Sequence, residues 1–280
     1  MLHSSNYSEL TVVPIGGLCN RFRALFSAWF LAEKHPELKV RVKWGINKEC
    51  NASFERLFEL PKKMPFTLCT TNAWDIPALK RNLYLPRLLR SFYYDRQFFE
   101  LTTSEFPPLL EHIVSNRRIW ICTGSSFADY PSSYPRLLRP NEELREKIEL
   151  IANNFDNNTI GVHIRRTDNE ISKATASVNA YRKAMYMEIE REPATRFFLA
   201  TDDADCKESL CKEFGARVMV QEAANLHRDA EYGIKCAVVD LFCLAATRKL
   251  LGSHWSSFTD TAAELGNMPV LIVRSEDFQC

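Results

Sequence analysis

The chain has 280 residues, with 36 Lys+Arg against 35 Asp+Glu and a formal net charge of +1. At 46% apolar and 25% charged residues it is an ordinary globular composition, long enough for about two domains. The balanced charge argues against affinity built on a nucleic-acid backbone. The 18 Phe, 9 Tyr and 5 Trp exclude low-complexity disorder, and the longest apolar candidate for a membrane span, Ala237 to Ala246, is short and contains Asp240.

From the amino terminus, Leu10 to Ile15 is an apolar, β-branched run and reads as a strand. Gly16, Gly17, Leu18, Cys19 and Asn20 follow as a tight turn. Phe22, Leu25, Phe26, Trp29 and Phe30 then recur at helical spacing up to Lys34, and Lys39 to Trp44 alternates as a strand does. These pieces make one β-loop-α-β unit. Residues 50–115 are rich in aromatics and Pro; short helices are expected near Ser53–Glu59 and Leu109–Ser115, without a topology. Arg81, Arg87, Arg90 and Arg96 make this stretch basic, either a solvated face or an acceptor-binding surface. Arg118 to Cys122 reads as a strand. The Pro-containing loop Ser125 to Pro140 marks a domain boundary, dividing the chain into residues 1–139 and 140–280.

Beyond the loop, β and α segments alternate. Helices are expected at Asn141–Asn154, Asn179–Arg191, Asp203–Phe214, Ile234–Thr247 and Ser257–Leu265. Strands are expected at Thr159–Ile164, Arg196–Thr201, Arg217–Val220, Lys249–Gly252 and Pro269–Val273. Such alternation implies an α/β fold with parallel sheets covered by helices. The amino terminus lacks the basic and apolar regions of a secretory signal. Nine Cys without a C-x-x-C pair read as reduced thiols of a cytosolic protein, so the Asn-x-Ser/Thr triplets at Asn6, Asn51 and Asn157 carry little weight.

Parallel sheets bind ligands beyond the carboxyl ends of their strands. Three such ends hold reactive side chains: His163-Ile164-Arg165-Arg166-Thr167-Asp168, Thr201-Asp202-Asp203, and Gly252-Ser253-His254-Trp255-Ser256-Ser257. If the strands are neighbours, all three converge on one crevice. Two guanidinium groups beside a Ser-bearing helix N-terminus suit a diphosphate. Neither G-x-x-x-x-G-K-[ST] nor G-x-G-x-x-G is present, which argues against an ordinary nucleotide triphosphatase or dinucleotide oxidoreductase. Asp202-Asp203-Ala204-Asp205 also contains a D-x-D metal pattern, but capping of the following helix is the favoured reading. His163 reads equally as a buried strand residue. His254-Trp255 reads as packing, Cys19 as a small filler, and His227-Arg228-Asp229 as a solvated turn rather than a lid.

Taken together, GVHIRRTD (161–168), LATDD (199–203), VVDL (238–241) with GSHWSSF (252–258), and the loop Gly16-Gly17-Leu18-Cys19-Asn20-Arg21 resemble the motifs of the α1,6-, α1,2- and protein O-fucosyltransferase superfamily, and its α1,6 branch most. The likeness covers most of residues 155–265 and about 15–35, and does not extend to residues 45–150. It implies a GT-B-like fold, two Rossmann-like domains facing a cleft, with an acceptor-side N-terminal domain and a GDP-sugar-binding C-terminal domain. It further implies inverting transfer of L-fucose from GDP-fucose to a glycan hydroxyl, with no cofactor and no metal. Under that resemblance Arg165 grips the β-phosphate and Arg166 supports it. His163 and Asp240 contact the guanine end, and Asp168 holds the ribose or orders its loop. Ser256 and Ser257 bind phosphate, and Asp203 lies near the nucleotide. Gly16, Gly17, Asn20 and Arg21 form the Gly-rich loop.

The sequence departs from the pattern at one place. Family members of the α1,6 branch carry a candidate base a few residues past the Asp, where this chain has Lys173; Asp168 and Glu170 are the nearby carboxylates that could serve as the base. The departure motivates one alternative, a non-catalytic nucleotide-sugar-binding protein; transfer from another nucleotide sugar is a separate one. Being short for the family and without its stem and anchor, the chain is expected to be a soluble, bacterial-type, cytoplasmic enzyme, working if need be at the periphery of membrane-linked glycan assembly. Acceptor and oligomeric state are not legible.

Overall fold

A computed structural model describes residues 8–61, 63–100, 117–166, 170–222 and 228–278; the side chains of residues 170, 172 and 173 are outside the description. The chain divides into two units. One comprises Met1–Tyr134 with Arg228–Glu231, the other Pro135–His227 with Tyr232–Cys280. The division falls inside the Pro-containing loop, five residues before the expected 139/140 boundary. The excursion at Arg228–Glu231 had no sequence signal.

The N-terminal unit is built on a five-stranded parallel sheet of order β3-β2-β1-β5-β4. The strands are β1 (Glu9–Pro14), β2 (Lys39–Trp44), β3 (Thr67–Thr70), β4 (Arg96–Phe99) and β5 (Arg118–Thr123). β1 is central and buried throughout, which is why it reads as a continuous apolar run. The expected β-α-β unit is present: β1 pairs in parallel with β2, Leu10 opposite Val40 and Val12 opposite Val42. The connecting helix Leu18–Lys34 buries Phe22, Leu25, Phe26 and Trp29, each fully buried side chain contributing about 2–3 kcal/mol. Phe22 meets Phe58 edge-on at 5.5 Å between ring centroids. Ser27 on this helix accepts hydrogen bonds from the amides of Phe127 (3.1 Å) and Ala128 (3.3 Å), so one hydroxyl holds down the loop after β5.

Residues 54–56 form a 3-10 turn rather than the longer helix expected at Ser53–Glu59. The helix expected at Leu109–Ser115 lies outside the described residues.

The C-terminal unit holds a second parallel sheet of order β10-β9-β6-β7-β8. Its strands are β6 (Thr159–Ile164), β7 (Arg196–Thr201), β8 (Val218–Val220), β9 (Leu250–Gly252) and β10 (Val270–Ile272). The helices run Glu142–Ala152, Glu170–Thr175, Val178–Arg191, Ala204–Phe214, Glu231–Ala245 and Ser257–Gly266. Polar side chains start three of them. Asn141 accepts from the Leu144 amide (3.1 Å), Ser177 from Ala180 (3.2 Å) and Asp203 from Cys206 (3.0 Å). Ile160, Val162, Tyr181, Met185, Phe197, Leu199 and Leu210 form the core under the helices. Cysteines among the described residues are free thiols.

In both sheets the chain winds outward from a central strand, then resumes on that strand's other side. The reversal lies at β1/β5 in the first unit and at β6/β9 in the second. At such a reversal the loops on the two strands part in opposite directions and leave a crevice at the carboxyl ends.

Candidate functional site

At the β6/β9 reversal the three segments singled out by sequence do meet, because β9, β6 and β7 are adjacent. The Ser253 hydroxyl joins them. It donates to the His163 carbonyl (3.0 Å) and accepts from the Arg165 amide (2.9 Å). Its remaining contact is the Tyr181 hydroxyl at 2.8 Å, which therefore donates. The side chain just after β9 thus fixes the backbone at which β6 becomes the arginine loop.

The arginines are oriented by a residue that the motifs contain but to which the resemblance assigns no role. Asp202, at the end of β7, pairs with the Arg165 guanidinium (Nη1 to Oδ2, 2.6 Å) and also accepts from the Arg166 amide (2.7 Å). Arg165 and Asp202 are both largely buried, which makes the pair stronger than a surface contact. The Arg166 Nε lies 3.7 Å from Asp203 Oδ2, beyond hydrogen-bond reach, and is buried without a hydrogen-bond partner. Asp203 itself is the N-cap of the helix Ala204–Phe214. Of the D-x-D pattern Asp203-Ala204-Asp205, the first carboxylate caps a helix amide, and the neighbouring Asp202 is engaged by the arginines.

His163 is 5% exposed. Its Nδ1 shares a 2.8 Å hydrogen bond with the Thr259 hydroxyl, and its ring stacks on Phe258 at 4.8 Å. Burial, followed by the nearby Arg165 charge, depresses its pKa to about 3, so the ring is neutral at physiological pH. Its partner is a side-chain hydroxyl rather than the backbone. Thr259 also accepts from the Ser253 amide at 3.1 Å, and Gly252 leaves the space that Thr259 occupies.

The helix Ser257–Gly266 points its N-terminus from this turn. Ser256 is its N-cap, is buried and makes no side-chain cap bond. The first-turn amides thus keep donors for an anion, with the helix dipole of the right sign. The turn is strained: Trp255 has φ +54° and is 72% exposed, with its ring tilted and 6.1 Å from that of the half-buried His254. Ser257 begins the helix and is half-buried.

Asp240 sits on the helix Glu231–Ala245 and is 7% exposed, with Oδ1 buried and without a hydrogen-bond partner. Burial pushes its carboxyl up to about 7, against a smaller opposing pull from Lys207. A buried carboxyl oxygen without a donor is costly and is expected where a ligand supplies one. Asp168 lies outside the described residues. So does the side chain of Glu170, whose backbone starts the helix Glu170–Thr175.

In the N-terminal unit, Gly16 has φ +81°, which requires glycine at little cost, and Asn20 packs beneath it. Arg21 is completely buried. It donates to the carbonyl of Gly16 (2.8 Å), to that of Gly45 and to Asn47 Oδ1 (2.9 Å), and lies over the Trp44 ring. That leaves it fastening the loop, with no face for a ligand. Cys19 is buried, as a filler would be. The Arg228 guanidinium lies beside Gly17, where an added methyl would come within 3.4 Å of Nη1. The Arg228 carbonyl accepts from the Asn51 amide (3.1 Å), and Glu231 pairs with Arg56 (3.0 Å). Arg228 and Asp229 thus form a turn fastened to the first unit, with Asp229 exposed and Arg228 half-buried; His227 is outside the described residues.

No family model matches the chain, and no curated protein matches it in sequence. Solved structures do match. A NodZ α-1,6-fucosyltransferase soaked with GDP-fucose has a TM-score of 0.61 at 18% identity, over 93% of each chain. Fucosyltransferase NodZ from Bradyrhizobium has 0.60 at 16%, over 92% of this chain and 93% of that one. POFUT1 in complex with GDP has 0.55 at 13%, over 96% and 98%. At these identities the likeness establishes the fold: the chain shares with these fucosyltransferase structures a GT-B-like architecture of two Rossmann-like α/β units.

Proposed function

We propose that the protein is an inverting, metal-independent fucosyltransferase that moves L-fucose from GDP-fucose to a glycan hydroxyl. The observation that carries this reading is the arginine pair set by Asp202 beside the uncapped N-terminus of Ser257–Gly266. The shared fold supports it, since the similar structures include complexes with GDP and GDP-fucose. We assign the donor to the C-terminal unit and the acceptor to the N-terminal one, and a cytoplasmic setting suits the free thiols.

In this reading the diphosphate lies across Arg165, Arg166, Ser256 and the amides that follow it. The acceptor oxygen attacks C1 of fucose, the C1–O bond to the β-phosphate breaks, and GDP leaves with the electron pair. Charge on the sugar rises toward an oxocarbenium ion while negative charge grows on the departing phosphate. Guanidinium groups held by Asp202 meet that charge without reorganising, so they stabilise the transition state more than the bound donor. A guanidinium pair supplies fixed positive charge where other transferases use a divalent ion. The acceptor proton passes to a carboxylate, for which Asp168 and Glu170 are the candidates. Asp240 is suited to the guanine edge, whose N–H donors would satisfy its buried oxygen.

A thermal-shift panel of nucleotide sugars tests the donor separately from the acceptor. GDP and GDP-fucose should raise the melting temperature in the presence of a chelator, and Arg165→Ala should lose the shift while remaining folded. Stabilisation by a UDP-sugar instead, or only with Mn²⁺, would refute the proposal. GDP-fucose bound but neither transferred nor hydrolysed would make the protein a carrier.

A further inference from the structure

The short helix Leu85–Ser91 in the N-terminal unit is turned inside out. Leu85, Leu88, Leu89 and Phe92 recur at the three- and four-residue spacing that ordinarily marks a core-facing stripe, yet all four are exposed, Phe92 at 76%. The opposite side buries Pro86 and Arg90. Arg90 anchors the helix: its guanidinium lies 3.7 Å over the Trp120 ring and donates to the carbonyls of Trp74 and Ile76 and to Gln97. Ahead of the helix, Leu83 and Tyr84 both have positive φ, 52° and 56°, and both side chains are exposed. Two successive strained residues hold apolar side chains outward on a firm base. Half of the large apolar side chains exposed among the described residues fall within residues 74–99.

The charge of the patch narrows what covers it. Within residues 74–99 the exposed charges are Lys80, Arg81, Arg87 and Arg96 against Asp95, while Arg90 and Asp75 are buried. A second copy of the chain meeting this face about a two-fold axis would set Lys80, Arg81 and Arg87 against themselves. A bilayer with anionic headgroups meets both features, taking the leucines and Phe92 into its apolar boundary and the cations at its surface. Trp74, Tyr84 and Tyr93, each with an apolar body and a polar tip, suit the interface between them. Beside the helix a cleft of about 580 Å³, lined by Tyr84, Arg87, Ser91 and Arg96, is placed for a phosphate headgroup; Asp95 also borders it and is tied to the Arg118 amide.

We propose that this basic, leucine-bearing face docks the N-terminal unit on an anionic phospholipid surface. The proposal goes beyond the transfer reaction, and its test needs no activity. Full-length protein is co-sedimented with phosphatidylcholine vesicles and with vesicles containing one-third phosphatidylglycerol. Partitioning onto the anionic vesicles should exceed that onto neutral ones at least tenfold and weaken as salt is raised. Lys80→Gln, Arg81→Gln and Arg87→Gln together should reduce it on the order of a hundredfold, at about fivefold per cation. Leu88→Gln with Phe92→Gln should reduce it at least tenfold, with circular dichroism and GDP-induced melting shift unchanged. Equal partitioning onto the two vesicle types, or anionic binding that the Leu88/Phe92 variant retains, would overturn the proposal. So would a dimer in solution that this variant dissolves, which would make the face a contact between copies.

Discussion

Asp240→Asn separates the cost of a buried carboxyl from its use. In the folded protein the group titrates near 7 against an ordinary value of 3.8, because burial disfavours the charged form. Below 3.8 the carboxyl is protonated in both states and adds nothing to the pH dependence. Between 3.8 and 7 the unfolded chain releases the proton while the folded chain keeps it, so stability is lost as the pH rises. Above 7 the penalty levels off, at an upper bound of roughly 4 kcal/mol. Asparagine keeps the shape and does not ionise. The variant should therefore gain on wild type by an amount that grows by on the order of 2–3 kcal/mol between pH 5 and pH 8. Urea unfolding at those two pH values measures it. A gap that stays constant or shrinks would show that Asp240 ionises freely in the folded state. The same variant should bind GDP more weakly at pH 8, since the charged acceptor for the guanine donors is gone.

Three further substitutions probe the framework. Arg165→Lys keeps the charge but loses the planar fork, and should weaken GDP affinity at least tenfold by calorimetry. Gly252→Ala places a methyl 2.3 Å from Thr259 Cγ2; it should cost about 1–3 kcal/mol in denaturant unfolding and also weaken GDP binding, because Thr259 holds His163. Ser27→Ala leaves the Phe127 and Ala128 amides without their acceptor. It should cost about 1–3 kcal/mol with GDP affinity unchanged, and a change in that affinity would mean that the loop after β5 reaches the donor.

The central strands were legible because β1, β6 and β7 are buried along their length and spell apolar runs. β3 and β4 were not. Each has four residues with exposed ends and a half-buried middle, which is neither alternation nor a run. The helix Leu85–Ser91 was not expected either, and its apolar stripe is one that the fold turns outward. Arg165, Arg166 and the helix at Ser257 could be found as strand-end chemistry. The role of Asp202 could not, because it depends on β6 and β7 lying side by side, a fact of topology. Nor could the return of Arg228 to the loop at Gly17 be read, since no local signal spans that separation.

The seam between β6 and β9 has a consequence for how such a pocket changes over generations. The two strands stay in register only at Gly161–Leu250 and Val162–Leu251, whereas β6 pairs with β7 as far as Ile164. Past Val162 the sheet has come unzipped on one side, and the Ser253 and Thr259 hydroxyls serve as the clasp. A backbone ladder survives most side-chain substitutions, whereas a clasp made from two hydroxyls is loosened by changing either one, so the floor of this crevice is open to evolutionary retuning.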